Sequence, residues 1–150
     1  MTIWVDADAA PTAVREILVR ASRKREVDVV FVANRWMPKP KSHRASAVSV
    51  SAGADAADDY IAENCEQGDL VITADIPLAA RAVEAGAQVI TPYGRELDEA
   101  NVREALSMRD FKEELREFGV DSGGPPPYGR VQKREFANAL DRWITQAKRS

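Results

Sequence analysis

The sequence predicts an α/β protein: three layers, with helices on both faces of a mostly parallel five-stranded sheet and further C-terminal helices packed on that body. Three observations predict it. Short β-rich runs alternate with segments of helical period. The inner runs are nearly all apolar, as in strands covered on both sides. Prolines fall shortly after two of those runs, at places where a helix can begin without losing a hydrogen bond.

Ile3–Val5 is the first strand. Pro11 then opens a helix in which Val14, Ile17, Leu18 and Ala21 follow at i, i+3, i+4 and i+7, one apolar face. Asp28–Ala33 (DVVFVA) is a buried strand, and Ala47–Ser51, which alternates, belongs nearer an edge. A short helix over Asp55–Cys65 stacks Ala57, Ile61 and Cys65 on one side. Asp69–Thr73 (DLVIT) is another buried strand; Pro77 opens the next helix, and Gly86 is suited to end it. Gln88–Thr91 is the last strand, closed by Pro92, Tyr93 and Gly94.

Beyond this the pattern becomes helical. Asp98 is expected to cap a helix carrying Val102 and Leu106 and, after a bend near Ser107, Phe111, Leu115 and Phe118. Asp121–Tyr128 (DSGGPPPY) reads as a stiff proline turn behind two glycines. Phe136, Ala139, Leu140, Trp143, Ile144 and Ala147 form one stripe of a final amphipathic helix, a packing face. The proline turn is too short for an interdomain linker, so the 150 residues are read as a single domain with a helical extension from about residue 96.

Composition narrows the function classes. Apolar and charged fractions of 45% and 30% are those of a soluble globular protein. The N-terminus has none of the parts of a signal peptide, and no apolar run approaches the roughly 20 residues of a membrane span. The expected location is cytoplasmic, without a membrane partner. One cysteine, Cys65, and one histidine, His43, exclude a disulfide framework, cysteine- or histidine-built metal sites and most serine triads. Neither standard glycine-rich phosphate loop is present.

A net charge of −3 argues against a protein devoted to coating nucleic acid but leaves room for a local basic edge. Arg35–Arg44 (RWMPKPKSHR) is such a run: Arg35, Lys39, Lys41 and Arg44 with no acid, interleaved with Trp36 and Pro38. It is either a solvated loop or a surface for a polyanion.

Acids supply the chemistry. The first strand runs into Asp6-Ala-Asp8, and the strand ending at Thr73 runs into Ala74-Asp75. In open parallel sheets, ligands bind beyond the carboxyl ends of strands where neighbouring connections diverge. If these two strands are neighbours, Asp6, Asp8 and Asp75 converge. Two carboxylates about 4 Å apart repel by roughly 4 kcal/mol at an effective dielectric near 20. Mg²⁺ or Mn²⁺, which prefer oxygen ligands, would remove that repulsion. Asp58 is a further candidate, although it and Asp59 also suit the first turn of a helix, where acids complement the dipole. A strand-end aspartate can instead hold a loop amide or cap the next helix, but two acids in matched places, Asp6 and Asp75, favour a site; Asp8 can also cap the loop amides before Pro11.

The phrases VDADAAP, DVVFVAN, ADDYI, GDLVITADIPLAARAVEAGA, MRDF, SGGPPP and FANALDRW, spread in order from Ile3 to about Trp143, resemble the YaiI/YqxD family of uncharacterised bacterial proteins. The resemblance implies a PIN-like fold, whose nuclease members gather acids around Mg²⁺ or Mn²⁺ at a parallel sheet edge. It implies Asp6, Asp8, Asp58 and Asp75 as the acid cluster, with Asn34 lining the same cleft. One departure stands out: the family commonly has cysteine before the proline of DADACP, and this chain has Ala10.

The expected function is therefore a metal-dependent nuclease acting on single-stranded RNA. Asp6, Asp8 and Asp75 would hold the metal and Asp58 would complete the catalytic shell. Asn34, Arg35, Trp36, Lys39, Lys41 and Arg44 would bind the nucleic acid. A non-catalytic nucleic-acid- or protein-binding module is the alternative. A haloacid-dehalogenase-like phosphatase also fits the spacing of Asp6 and Asp8, but it requires a later lysine, and none occurs between Lys41 and Lys112.

Overall fold

The structure, a computed structural model, describes residues 1–51, 53, 55–119 and 127–149. Its sheet has six strands: β1 (Thr2–Asp6), β2 (Asp28–Ala33), β3 (Ala45–Ser49), β4 (Leu70–Ile72), β5 (Gln88–Ile90) and β6 (Glu96–Leu97). They lie in the order β3-β2-β1-β4-β5-β6, and the first five are parallel. The sixth strand, absent from the sequence reading, pairs antiparallel to β5 after the tight turn at Gly94. Two residues are too few to show a β period, so only pairing reveals it.

Alternation along the strands builds two cores. Ile3, Val5, Val29, Phe31, Leu70 and Ile72 face one side, where α1 (Thr12–Lys24) and α5 (Arg130–Arg149) cover them with Val14, Leu18, Phe136, Leu140 and Ile144. Val32, Val71 and Val89 face the other, under α2 (Ala56–Asn64), α3 (Ile76–Glu84) and the start of α4 (Val102–Glu117). This is the expected three-layer α/β arrangement, with one more strand. Ala10, the position at which the resemblance leads one to expect cysteine, packs in the first core.

Several boundaries move. Pro11 precedes α1 as its N-cap, and Pro77 is the second residue of α3, not the first. The third strand begins at Ala45, two residues early, because its register against β2 runs from Val29↔Ala45 to Ala33↔Ser49. The bend expected near Ser107 does not form; α4 is one continuous helix. Val102 and Phe111 are nine residues apart, two and a half turns, and so lie on opposite faces. Val102 is buried, whereas Phe111 and Phe118 are 55% and 85% exposed. The proline turn falls largely at 120–126, outside the described residues.

Candidate functional site

β1 is hydrogen-bonded to β4 with Ile3 opposite Leu70 and Val5 opposite Ile72, so the two acid-bearing strand ends are neighbours. From β1 the chain turns into α1 on one face; from β4 it turns into α3 on the other. The acids therefore stand at a point of diverging connections.

Asp6 is the last residue of β1 and is 8% exposed. Its Oδ2 accepts a hydrogen bond from Thr73 Oγ1 at 3.0 Å, and the same hydroxyl accepts from the Asp75 backbone N–H at 3.0 Å. Thr73 thus ties the two strand ends, a role the sequence reading missed; its one signal was a hydroxyl at the end of an apolar strand. Asp75 caps α3 through Oδ1, which accepts from Leu78 N–H at 2.9 Å. One carboxylate oxygen is used in the cap.

Asp58 reaches the cluster by another route. Asn34, at the end of β2, accepts the Ala57 N–H on Oδ1 at 3.1 Å and thereby fixes the first turn of α2. Asp58 follows immediately. Its carboxyl is pushed up to about 6, first by burial, then by the charges of Asp75, Asp6 and Asp55, and by a hydrogen bond to Asp75 that needs the protonated form. Asp6 is also raised, chiefly by burial; the Thr73 bond opposes this, and the charges of Asp75 and Asp8 add to it. Asp6, Asp58 and Asp75 thus form one electrostatic unit. None of the three makes an ion pair among the described residues.

Asp8 is employed differently. Its Oδ2 accepts the Asn34 backbone N–H at 2.7 Å, and its Oδ1 lies 3.5 Å from Arg35 Nε. It fixes the start of the basic loop at the edge of the cluster. Asp59 points away, bonded to Arg81 at 2.8 Å. Another acid, Asp69, is structural: it accepts from the backbone N–H groups of Thr2 and Glu66 and from the Trp4 indole.

The loop carries Arg35, Trp36, Lys39 and Lys41 outward, with Trp36 79% exposed. Arg44 is less free, since it lies 3.4 Å from Asp28. His43 is exposed, whereas Cys65 is buried beneath α2 with its thiol raised by that burial, so they form no dyad. Among the described residues no three acids are close enough to form a ready metal cage. The donor set nevertheless suits a hard cation that takes one or two carboxylates and fills its shell with water.

Fold and site together define a doubly wound α/β protein with an acidic cluster at a switch point and a basic loop beside it. The chain belongs to the YaiI/YqxD family: the model described as "Uncharacterized BCR, YaiI/YqxD family" matches residues 4–146. A UPF0178 protein of Psychromonas ingrahamii is 49% identical over 150 residues, covering 100% of this chain and 99% of the relative. One from Saccharophagus degradans is 51% identical over 146 residues, 97% of each chain. The UPF0178 protein YaiI of Escherichia coli is 47% identical over 150 residues, 100% of this chain and 97% of the relative. No solved structure matches. Among the described residues no helix is long and apolar enough to cross a membrane.

Proposed function

We propose that this chain is a Mg²⁺- or Mn²⁺-dependent phosphodiesterase with a PIN-like fold that cuts single-stranded RNA at the ends of β1 and β4. The observation that carries the reading is the convergence of Asp6, Asp58 and Asp75, coupled by their charges and without an ion pair among the described residues. Asp6 and Asp75 hold the cation and Asp58 completes the cluster, while Asp8 positions the loop. When bound, the cation supplies charge neutralisation, polarisation of a phosphate oxygen and activation of water. Thr73 keeps the Asp6 carboxylate oriented, Arg35 and Lys39 neutralise flanking phosphates, and Trp36 offers a face for a base. A binding module without turnover is the second reading, favoured by the lack of a ready metal cage among the described residues.

Cutting of a labelled single-stranded RNA separates them. The wild type cuts with Mn²⁺ or Mg²⁺ and not with chelator. Asp75→Asn, purified in parallel, keeps the α3 cap because asparagine caps as well as aspartate, yet loses the charge and the activity. Equal rates in the two proteins would trace the activity to a contaminant and defeat the nuclease reading. Binding by both without cutting would favour the module.

A further inference from the structure

The basic loop is not the only cationic surface. Between α1 and α5 runs a groove of about 520 Å³. Its floor is apolar, formed by Ile17, Leu140 and Ile144, and its banks carry Arg20 and Lys24 on α1 and Arg130, Lys133 and Arg134 on α5. These five cations make no ion pair among the described residues. Among the described residues the one acid lining the groove, Asp141, is already bonded to Arg25. In a chain whose net charge is −3, this is a strong local excess.

A second groove of about 550 Å³ adjoins it and shares Arg20. It adds Arg15, Arg23 and Lys41 against, among the described residues, a single acid, Glu16. Arg15 Nε is buried there without a hydrogen-bond partner. Lys41 belongs to the same loop as Arg35, which touches Asp8 at the strand ends. The cations therefore continue from the acidic cluster onto α1 and across the groove to the first turns of α5, which start at the same end of the sheet, where Gly94 lies against Glu135. On α1 the cations run from Arg15 to Lys24, about 14 Å of helix.

We propose that this track binds the backbone of a single-stranded RNA whose other end lies at the acidic cluster. A small anion would fill one groove and leave the other unneutralised, whereas a polymer of phosphates neutralises both. Arg20 and Lys24, and likewise Arg130 and Arg134, are spaced i, i+4, so each bank repeats its charge about every 6 Å, a step suited to successive phosphates. A duplex, wider than a trough between two packed helices, would ride on the banks and leave the apolar floor bare. A single strand can turn its bases onto that floor. The inference rests on the proposed choice of RNA as ligand, but not on the RNA being cut.

Fluorescence anisotropy in chelator tests it with two labelled RNAs of about 20 and about 5 nucleotides, bracketing the common single-strand site sizes. Lys24, Lys133 and Arg134 are all exposed, so Lys24→Gln/Lys133→Gln/Arg134→Gln should keep the wild-type circular dichroism and melting temperature. It should bind the long RNA about tenfold or more weakly, with the salt slope lower by roughly 2, that is roughly 0.7 for each of three phosphates. The short RNA, held at the strand ends, should bind as before, and Lys24→Arg/Lys133→Arg/Arg134→Lys should restore the long one. Unchanged affinity and slope for the long RNA overturn the proposal, while cutting by the wild type would still stand. Absence of cutting with the triple-variant loss intact would defeat the nuclease reading alone. No binding of either RNA by the wild type overturns both.

Discussion

Thr73 Oγ1 donates a hydrogen bond to Asp6 Oδ2 across 3.0 Å, joining the ends of two adjacent parallel strands. Both residues are nearly inaccessible, Thr73 at 1% and Asp6 at 8%. The bond favours the charged form of a carboxyl that burial pushes the other way. Thr73→Val should therefore raise Asp6 further and leave a buried carboxylate without its partner. We expect a loss of about 1–3 kcal/mol at pH 7.5 and a smaller one at pH 4, because a raised carboxyl takes up its proton sooner as the pH falls. Denaturant unfolding at the two pH values measures the difference, and Thr73→Ser should recover most of it.

The pH dependence of stability should run opposite to that of a salt-bridged acid. Asp58 has a folded pKa of about 6 against an ordinary 3.8, so between those values the folded state binds more protons than the unfolded one. The stabilisation from its proton is full below 3.8 and is lost as the pH rises through about 6. Asp6 shifts in the same direction. Asp58→Asn should raise the melting temperature at pH 7.5 and flatten the profile between pH 4 and 7. Superimposable profiles for the two proteins would rule out this coupling.

A cation reverses the balance. Mn²⁺ should raise the melting temperature of the wild type at pH 7.5 and release protons on binding, because the ligating carboxyls must be ionised. Asp6→Asn/Asp75→Asn should show no such rise, and without metal it should be the more stable protein. An equal rise in both proteins would place the cation elsewhere.

For the loop, Lys39 and Lys41 are exposed and make no ion pair among the described residues, whereas Arg44 lies beside Asp28. Neutralising Lys39 and Lys41 should each lower the salt slope of single-stranded RNA binding by roughly 0.7. Adding Arg44→Gln should change the slope by less. Titrations at four salt concentrations suffice; slopes that do not move would leave the loop merely solvated.

Gly94 joins the sheet to α5. Its φ is +88°, and a Cβ there would sit 2.7 Å from the backbone of Glu135. Gly94→Ala should destabilise the fold by roughly 2 kcal/mol or more, since strain and a backbone clash act together. Chemical denaturation is the check, and a cost below that of an ordinary surface substitution would contradict the close approach.

What the sequence by itself determined was everything carried by local period and local chain geometry. Apolar runs such as DVVFVA specify covered strands, the spacing of Val14, Ile17, Leu18 and Ala21 specifies a helix face, and two strands visibly end in acids. From these come the layered α/β class and the two acid-bearing strand ends; that those strands are neighbours, and so bring Asp6 to Asp75, was decided by the pairing of β1 with β4. Tertiary structure decided what depends on residues distant in the chain. Asp58 joins the acids because Asn34 holds the start of α2, and Asp8 is drawn to the Asn34 amide and Arg35. Phe111 lies outside because α4 runs straight, two and a half turns past Val102. The cationic groove arises only because α1 and α5, more than a hundred residues apart, pack side by side; neither helix alone shows it. Period is a property of neighbours in sequence, whereas burial, mutual charge and capping by a distant side chain are properties of neighbours in space.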